Sequence, residues 1–475
     1  MTPVQVLVTV ALCVPVALVA VPARMDPVVA AAAVPAAVAV ALFLRDPIWC
    51  VLGVVATTFF GTYHHGIALG PFDVRASDVP LVFLMGWAIH LRFGQGRAPR
   101  FELGQRQVGL LLGVFAVSLL TAHNSVGAEL PDLLVSLARL VATCSLIWLV
   151  PYAVRSPKQR MFVLRAMVLL GFAELCRAVF VYVRVGKFPG RLYGANGPNA
   201  EGLIAALVVL AVVNLPLFKP RTRVVMGVVS LACLVQTRSI SSVAALMIVL
   251  GFYGLRVASA RHPRTEALLR PARLLALLFG AVLVIATLRP GDLPNQSQFV
   301  NSSTASRVTL AYAGWVIFTE HPLLGVGWQR SSAADVIGSE SVVDAVKERF
   351  PDVRDDLLPS GETVTVHNAY VQILAENGML GVLALLAVIV AVRKGLRGLS
   401  TRGRPDAAVI RTLAALLALV LIWWNDNPIF GAQPESILFA LLLGLLAASP
   451  RVPDPVEPRR RRPEHLEEPA APVGA

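Results

Sequence analysis

The chain has 475 residues, a formal net charge of +13 and an apolar content of 56%, while only 15% of its residues are charged. A soluble protein carries about 25% charged residues. Here the deficit runs the whole length, which excludes a soluble domain held by one anchor and points to a polytopic membrane protein. The positive charge sits in short loops between apolar runs, a placement that fits cytoplasmic loops of a membrane protein better than a nucleic-acid face.

Apolar stretches of about 17–22 residues, or somewhat shorter where interrupted, mark the candidate spans. They fall at 3–21, 28–44, 47–62, 79–93, 107–122, 133–151, 162–183, 199–217, 224–237, 241–256, 274–289, 377–393, 407–424 and 433–449. The first lacks a basic flank and is followed at once by the second, so it reads as a retained helix and not a cleaved signal. The runs at 47–62, 224–237 and 241–256 are the shortest or most interrupted. The expected fold class is all-α: a polytopic transmembrane helix bundle of about 12–14 spans, with one large extracytoplasmic loop that contains helices. Residues 1–289 would hold about eleven of the spans and 290–376 the large loop. Residues 377–449 would hold the last three spans, and 450–475 a disordered cytoplasmic tail in which Arg459 to Arg462 could touch anionic lipid. With the N-terminus in the cytoplasm, most of the 42 Lys and Arg residues fall on cytoplasmic segments. Both termini are then inside, and the 290–366 loop outside. Cys13, Cys50, Cys144, Cys176 and Cys233 all lie in apolar runs with no Cys-x-x-Cys or Cys/His spacing, and read as small buried side chains without a disulfide framework or metal site.

Polar residues interrupt this pattern at a few places. The segment 190–202 reads Gly-Arg-Leu-Tyr-Gly-Ala-Asn-Gly-Pro-Asn-Ala-Glu-Gly. Gly194 and Gly197 permit turns, and Asn196 and Asn199 could cap the next helix. Arg191 is either a stray loop arginine or a planar fork for a phosphate. Arg184, Lys187 and Arg191 cluster on the side from which basic residues are otherwise mostly excluded, and an anionic ligand would account for that. Arg238, in Thr237-Arg238-Ser239-Ile240-Ser241-Ser242, lines a site or caps a helix end. Arg307 opens an amphipathic run that ends in His321-Pro322-Leu323-Leu324-Gly325-Val326-Gly327. A cation is disfavoured at a helix start by the helix dipole, which again suits a bound phosphate. Within the spans Arg139, Glu174 and Arg177 stand out. Glu174 and Arg177, three apart, could pair on one helix face as structural support. Asn425 and Asp426 could rim a cavity.

The longest polar segment runs into His367-Asn368-Ala369-Tyr370 and then Glu376-Asn377-Gly378-Met379-Leu380-Gly381. Helical spacing puts His367 on the first turn of a membrane helix, and Gly378 and Gly381 would let another backbone come close. A histidine at such a boundary is ordinarily only an interfacial residue. His321 is the rival base, but it stands beside Pro322 in a turn-like context. No phosphate-binding P-loop, His-Glu-x-x-His or Asp-x-Asp motif is present, so neither ATP nor a metal is suggested.

His-Asn-x-Tyr, a Glu six residues after the Tyr, and then Gly-x-x-Gly resemble the signature of the O-antigen ligase and polymerase superfamily. Arg191-x-x-Gly194 followed by Pro198-Asn199 resembles its first arginine motif, Arg238-Ser239 is a partial match to Ser-Arg-Gly, and the run from Arg307 to Pro-Leu-x-Gly-x-Gly resembles its outer-loop helix. The resemblance covers roughly 185–385. It implies a metal-independent, inverting glycosyltransferase with no cofactor that moves a glycan from polyprenyl diphosphate to an acceptor hydroxyl on the outer side of the cytoplasmic (inner) membrane. The partners implied are the lipid-linked glycan donor, a lipid-linked or other acceptor, and membrane lipid, with no nucleic acid. His367 would be the catalytic base and Arg191 and Arg307 the donor diphosphate ligands. Arg238, Asn368, Tyr370 and Glu376 would support the site, the last three by orienting His367 or the sugar. Ligase, polymerase and protein glycosyltransferase share this core. The alternative is a polytopic transporter or flippase of lipid-linked glycans, which would bind its ligand at broken helices in mid-membrane.

The charge distribution makes a topological prediction. A reporter fused after Lys219 or after Arg397 should report cytoplasm, and one inserted at Gly338 should report the outer side. A cytoplasmic Gly338 would invert the placement of every candidate site residue.

Overall fold

The computed structural model describes residues 38–60, 66–69, 72–75, 77–96, 103–126, 130–185, 191–215, 217–259, 303–351, 366–399, 406–427 and 434–448. The expected spans 3–21 and 274–289, most of 28–44, and the tail 450–475 lie outside them. A helical segment at 38–45 leads into α1 (Pro47–Phe59). Asp46 caps α1 by accepting from the Ile48 N–H at 2.9 Å, and Pro47 sits at the first helical position, where no N–H is missed. A short antiparallel hairpin follows, β1 (Gly66–Leu69) and β2 (Phe72–Arg75). The remaining described elements are helical: α2 (Asp78–Ile89), α3 (Gln105–Val126), α4 (Leu130–Ala153), α5 (Pro157–Val185), α6 (Gly197–Asn214), α7 (Pro220–Thr237), α8 (Ile240–Ser259), α9 (Ser303–Glu320), the short α10 (Ala334–Ile337), α11 (Glu340–Arg349), α12 (Ala369–Gly398), α13 (Ala407–Trp423) and α14 (Pro434–Ala447).

Among the described residues, four stretches are long and apolar enough to cross a bilayer: Leu133–Ala153, Pro157–Val185, Gly197–Asn214 and Ala369–Arg397. Shorter apolar stretches lie in α1, α3, α8, α13 and α14. The burial pattern suits lipid. Helix α7 turns Val224, Val228, Leu231 and Val235 outward, each at least 50% exposed and three or four residues apart. An apolar stripe of that length facing water would be unstable, whereas facing acyl chains it costs nothing. Helices α6 and α14, apolar on every side, form the centre of the bundle. The chain is an integral membrane protein of polytopic helical type.

The ends of the bundle are marked by polar contacts. At one end Arg160, fully buried near the start of α5, pairs with Asp406 before α13 and donates to the Ala448 carbonyl at 2.9 Å. The other end of α5 leads to the 191–196 segment. Cys50, Cys144 and Cys233 are buried, as expected, but Cys176 is exposed on the outward side of α5.

Helices α9, α10 and α11 have their own apolar core, built on Leu310, Ile317, Ile337, Val342 and Val346 and closed by Val366 and Ala375 at the start of α12. A backbone stitch makes the junction. The Val326 N–H donates to the Ala375 carbonyl at 2.9 Å and the Gly327 N–H to that of Glu376 at 2.8 Å. In the other direction, the Met379 N–H donates to the Pro322 carbonyl at 2.8 Å. Helix α12 is broken where these bonds form: Gly378 has φ 60°, ψ −158°, a region open essentially to glycine alone. A Cβ on Gly378 would stand 2.3 Å from the Leu323 carbonyl oxygen, and one on Gly325 would stand 2.3 Å from the Glu376 carbonyl carbon. Gly378 thus admits a second backbone, whereas the neighbours of Gly381 belong to its own helix.

Gly378→Ala or Gly325→Ala should therefore cost on the order of 3 kcal/mol or more, through strain and backbone overlap together. Thermal unfolding in detergent would show this as a large fall in Tm or loss of monodisperse protein. Gly86→Ala, with open space around its Cβ position, should remain close to wild type.

Candidate functional site

Four separate stretches meet at the end of the bundle away from Arg160. The first is the 191–196 segment. Its Leu192 N–H donates to the Gln236 carbonyl at 3.0 Å, which ties it to the last turn of α7. Arg191 follows the same path: Nε donates to the Thr237 carbonyl at 2.8 Å and Nη2 to Asn199 Oδ1 at 3.0 Å. The second stretch is the turn between α7 and α8. Arg238 closes α7 in the left-handed conformation, φ 52°, a placement disfavoured for a residue with a Cβ. Ser239 and Ser242 follow with their hydroxyls 2.8 Å apart.

The third is the turn after α13. Asn427 Oδ1 accepts from Asn199 Nδ2 at 3.4 Å, and Asn427 Nδ2 donates to the Trp423 carbonyl at 3.2 Å. Trp423 Nε1 donates to Ser242 Oγ at 3.0 Å. The fourth is the start of α12. Asn368 caps it, with Oδ1 accepting from the Tyr370 and Val371 N–H groups at 3.0 Å each. Asn368 Nδ2 donates to the Asn425 carbonyl at 2.7 Å, and the Tyr370 hydroxyl donates to the Leu421 carbonyl at 2.5 Å. His367 precedes the cap and so lies just outside the helix, not on its first turn as the spacing suggested. Asn is among the strongest N-cap residues and takes that position itself.

Arg307, in the second turn of α9, belongs to the same constellation. Burial lowers the pKa of Arg191 from its ordinary value; Tyr193 works the other way, and the positive charges of Arg307 and Arg238 add to the lowering. The guanidinium remains charged at any physiological pH. Arg191 stands in the field of both Arg307 and Arg238, which raises its energy, and an anion beside it would relieve this.

The remaining sequence candidates fall elsewhere. Glu376 is fully buried. Its Oε1 accepts from Ser331 Oγ at 2.7 Å and Gln372 Nε2 at 3.1 Å, so it holds the 329–331 turn against α12. His321 is exposed at the end of α9, with the Gly325 N–H closing a turn onto its carbonyl. Asn196 does not cap α6 through its side chain, which instead donates to the Phe59 carbonyl at 2.7 Å. Lys187 lies outside the described residues. Sequence reasoning passed over Asn427. Its signal was slight, one more polar residue after Asn425 and Asp426, between apolar runs. Among the described residues no group of three or more His, Cys, Asp or Glu side chains is placed to hold a metal ion.

Comparison with known proteins bears on the same region. Residues 199–386 match the family profile described as O-antigen ligase. The match is a similarity of this core, 199–386, to the O-antigen ligase family. The profile spans the cap of α12, the stitch at Gly378 and all of α9, and begins at Asn199, which accepts from Arg191. The chain is also similar to the exopolysaccharide production protein ExoQ of Rhizobium meliloti (strain 1021), at 28% identity over 196 residues. That match covers 40% of this chain and 42% of ExoQ, so it spans well under half of that relative's length. The O-antigen ligase and polymerase resemblance carried by His367-Asn368-x-Tyr370 thus agrees with both findings.

The geometry makes a prediction about Asn368. Asn368→Ala should lower stability by about 1–2 kcal/mol, because the cap and the tie to Asn425 go together. Asn368→Asp should recover the cap but not the tie, and denaturation of the purified variants should rank wild type, Asp, Ala.

Proposed function

We propose that the chain is a membrane glycosyltransferase of ligase or polymerase type in surface polysaccharide assembly. It takes a glycan from polyprenyl diphosphate and joins it to an acceptor hydroxyl on the outer side of the cytoplasmic membrane. The observation that carries this reading is the meeting of Arg191, Arg238 and Arg307 at the end of the bundle where Asn368 ties the His367 segment to Asn425. In the proposed step the acceptor oxygen bonds to the anomeric carbon while the bond from that carbon to the diphosphate oxygen breaks. The proton of the hydroxyl passes to His367, and the electron pair leaves with the lipid diphosphate. One displacement inverts the anomeric centre. Arg191 and Arg307 stabilise the charge that develops on the diphosphate. These fixed cations supply what a divalent ion would otherwise supply, so the reading is metal-independent. Asn368 and Tyr370 act by fixing the start of α12, which sets where His367 stands. Arg238 adds positive charge to the donor side. The large loop 290–366 would lie outside, with both termini in the cytoplasm, and would cover the site and choose the acceptor.

The break in α12 favours a second reading, a flippase of lipid-linked glycans, since interrupted helices are a mark of transporters. Against it, the backbone of 322–327 fills the break, taking the Ala375 and Glu376 carbonyls and the Met379 and Leu380 N–H groups.

Purified protein incubated with a lipid-diphosphate glycan and candidate acceptors should release lipid diphosphate. His367→Ala and His367→Gln should each slow release by about 10²–10⁴, since an amide cannot take the proton. Arg191→Lys and Arg307→Lys should recover only part of what the Ala variants lose, because Lys lacks the bidentate fork. Chelation should leave the rate unchanged. Near wild-type turnover by His367→Gln would remove the base assignment and bring His321 forward. Movement of intact lipid-linked glycan across a membrane without cleavage would favour the flippase.

A further inference from the structure

A group of charges that the proposed transfer does not use lies beneath the segment carrying Arg191. Glu174 on α5 and Glu201 on α6 are both fully buried. Arg177 grips Glu174 with two bonds, Nε to Oε2 and Nη2 to Oε1, each 2.6 Å. Glu174 Oε1 also accepts the Ala195 N–H at 2.9 Å, and Glu201 Oε1 accepts the Asn196 N–H at 3.3 Å. The chain passes so close above them that a Cβ on Gly194 would stand 2.1 Å from Glu201 Oε1 and 2.8 Å from Glu174 Oε1. The two carboxyls lie within hydrogen-bonding reach of each other, while Glu201 Oε2 is buried and meets no N–H or O–H donor among the described residues.

Two ionised carboxylates do not sit side by side away from water. Glu174 is the ionised member, because the Arg177 fork and the Ala195 N–H both point at it. Glu201 has no such cation of its own. A proton on Glu201 turns its orphaned oxygen into a donor toward Glu174 and removes the repulsion. We propose that Glu174 and a protonated Glu201 are positioning residues, sharing one proton and holding the backbone at 194–196 so that Arg191 is fixed toward the donor diphosphate. The segment is then pinned on both sides of Gly194, by Leu192 on α7 and by Ala195 and Asn196 on the carboxyl pair. The assignment of Arg191 to the diphosphate rests on the reading given above; the shared proton does not.

The test uses the purified full-length protein in two measurements. Infrared difference spectra at neutral pH, wild type minus Glu201→Gln, should show the carbonyl band of a protonated carboxyl. A difference that contains only ionised carboxylate bands would overturn the proposal. In the transfer assay Glu201→Gln, which reproduces the neutral side chain, should keep donor KM and kcat within about twofold. Glu201→Ala leaves the Asn196 N–H without its acceptor and removes the proton shared with Glu174, and should raise donor KM about tenfold with a smaller effect on kcat. A Glu201→Gln protein that fails to fold, or is as impaired as Glu201→Ala, contradicts the proposal. Arg191→Ala is measured alongside. If it leaves donor KM unchanged, the diphosphate assignment falls, and the infrared result still decides where the proton sits.

Discussion

The structure depends on the exchange of backbone hydrogen bonds between 322–327 and the broken turn of α12. A membrane helix ordinarily satisfies every amide within itself, because lipid offers no partner for an exposed one. Helix α12 gives up that self-sufficiency at Gly378, and the segment after α9 supplies the missing partners. The two polar stretches become one unit in the process. Helix α9 carries Arg307 and leads directly into the stitch, while His367 stands at the start of the helix that receives it. Their relative placement is set by these backbone bonds together with the apolar core they share, so it tolerates little adjustment. Glu376, Ser331 and Gln372 reinforce the same junction from a fully buried position.

Positive charge at the proposed site is placed by a different device. Arg191 and Arg238 are brought together because the 191–196 backbone runs along the last turn of α7. Arg191 spends part of its hydrogen-bonding capacity on Thr237 and Asn199, which fixes the direction of the fork before any ligand arrives. Preorganised charge of this kind stabilises a developing anion without reorganisation at the moment of reaction. The cost is mutual repulsion in the absence of a ligand, and the left-handed backbone at Arg238 adds a strain of about 1–2 kcal/mol.

Much of this was legible in the sequence, and the failures have physical causes. The three doubtful spans, 47–62, 224–237 and 241–256, correspond to α1, α7 and α8; they looked weak because polar residues at their ends serve caps and turns. The span expected at 377–393 begins eight residues earlier, at Ala369. Hydropathy missed that stretch because Gln372 and Glu376 lie in it, buried and bonded to each other and to Ser331, 45 positions away. Candidate residues were named from local motifs, but their meeting could not be read. The Asn199 and Asn427 side chains are 228 positions apart, and no periodicity connects them. The break at Gly378 was visible as a glycine but not as a break, since a glycine in a membrane helix more often serves close packing.

The central claim is that Arg191, Arg307 and His367 face one diphosphate-linked sugar. A structure of the full-length protein with a lipid-diphosphate glycan bound tests it most directly. The account predicts the diphosphate between the Arg191 and Arg307 guanidinium groups, with the anomeric carbon on the His367 side and room there for an acceptor hydroxyl. A diphosphate lodged elsewhere in the bundle, or a sugar facing away from His367, would contradict it.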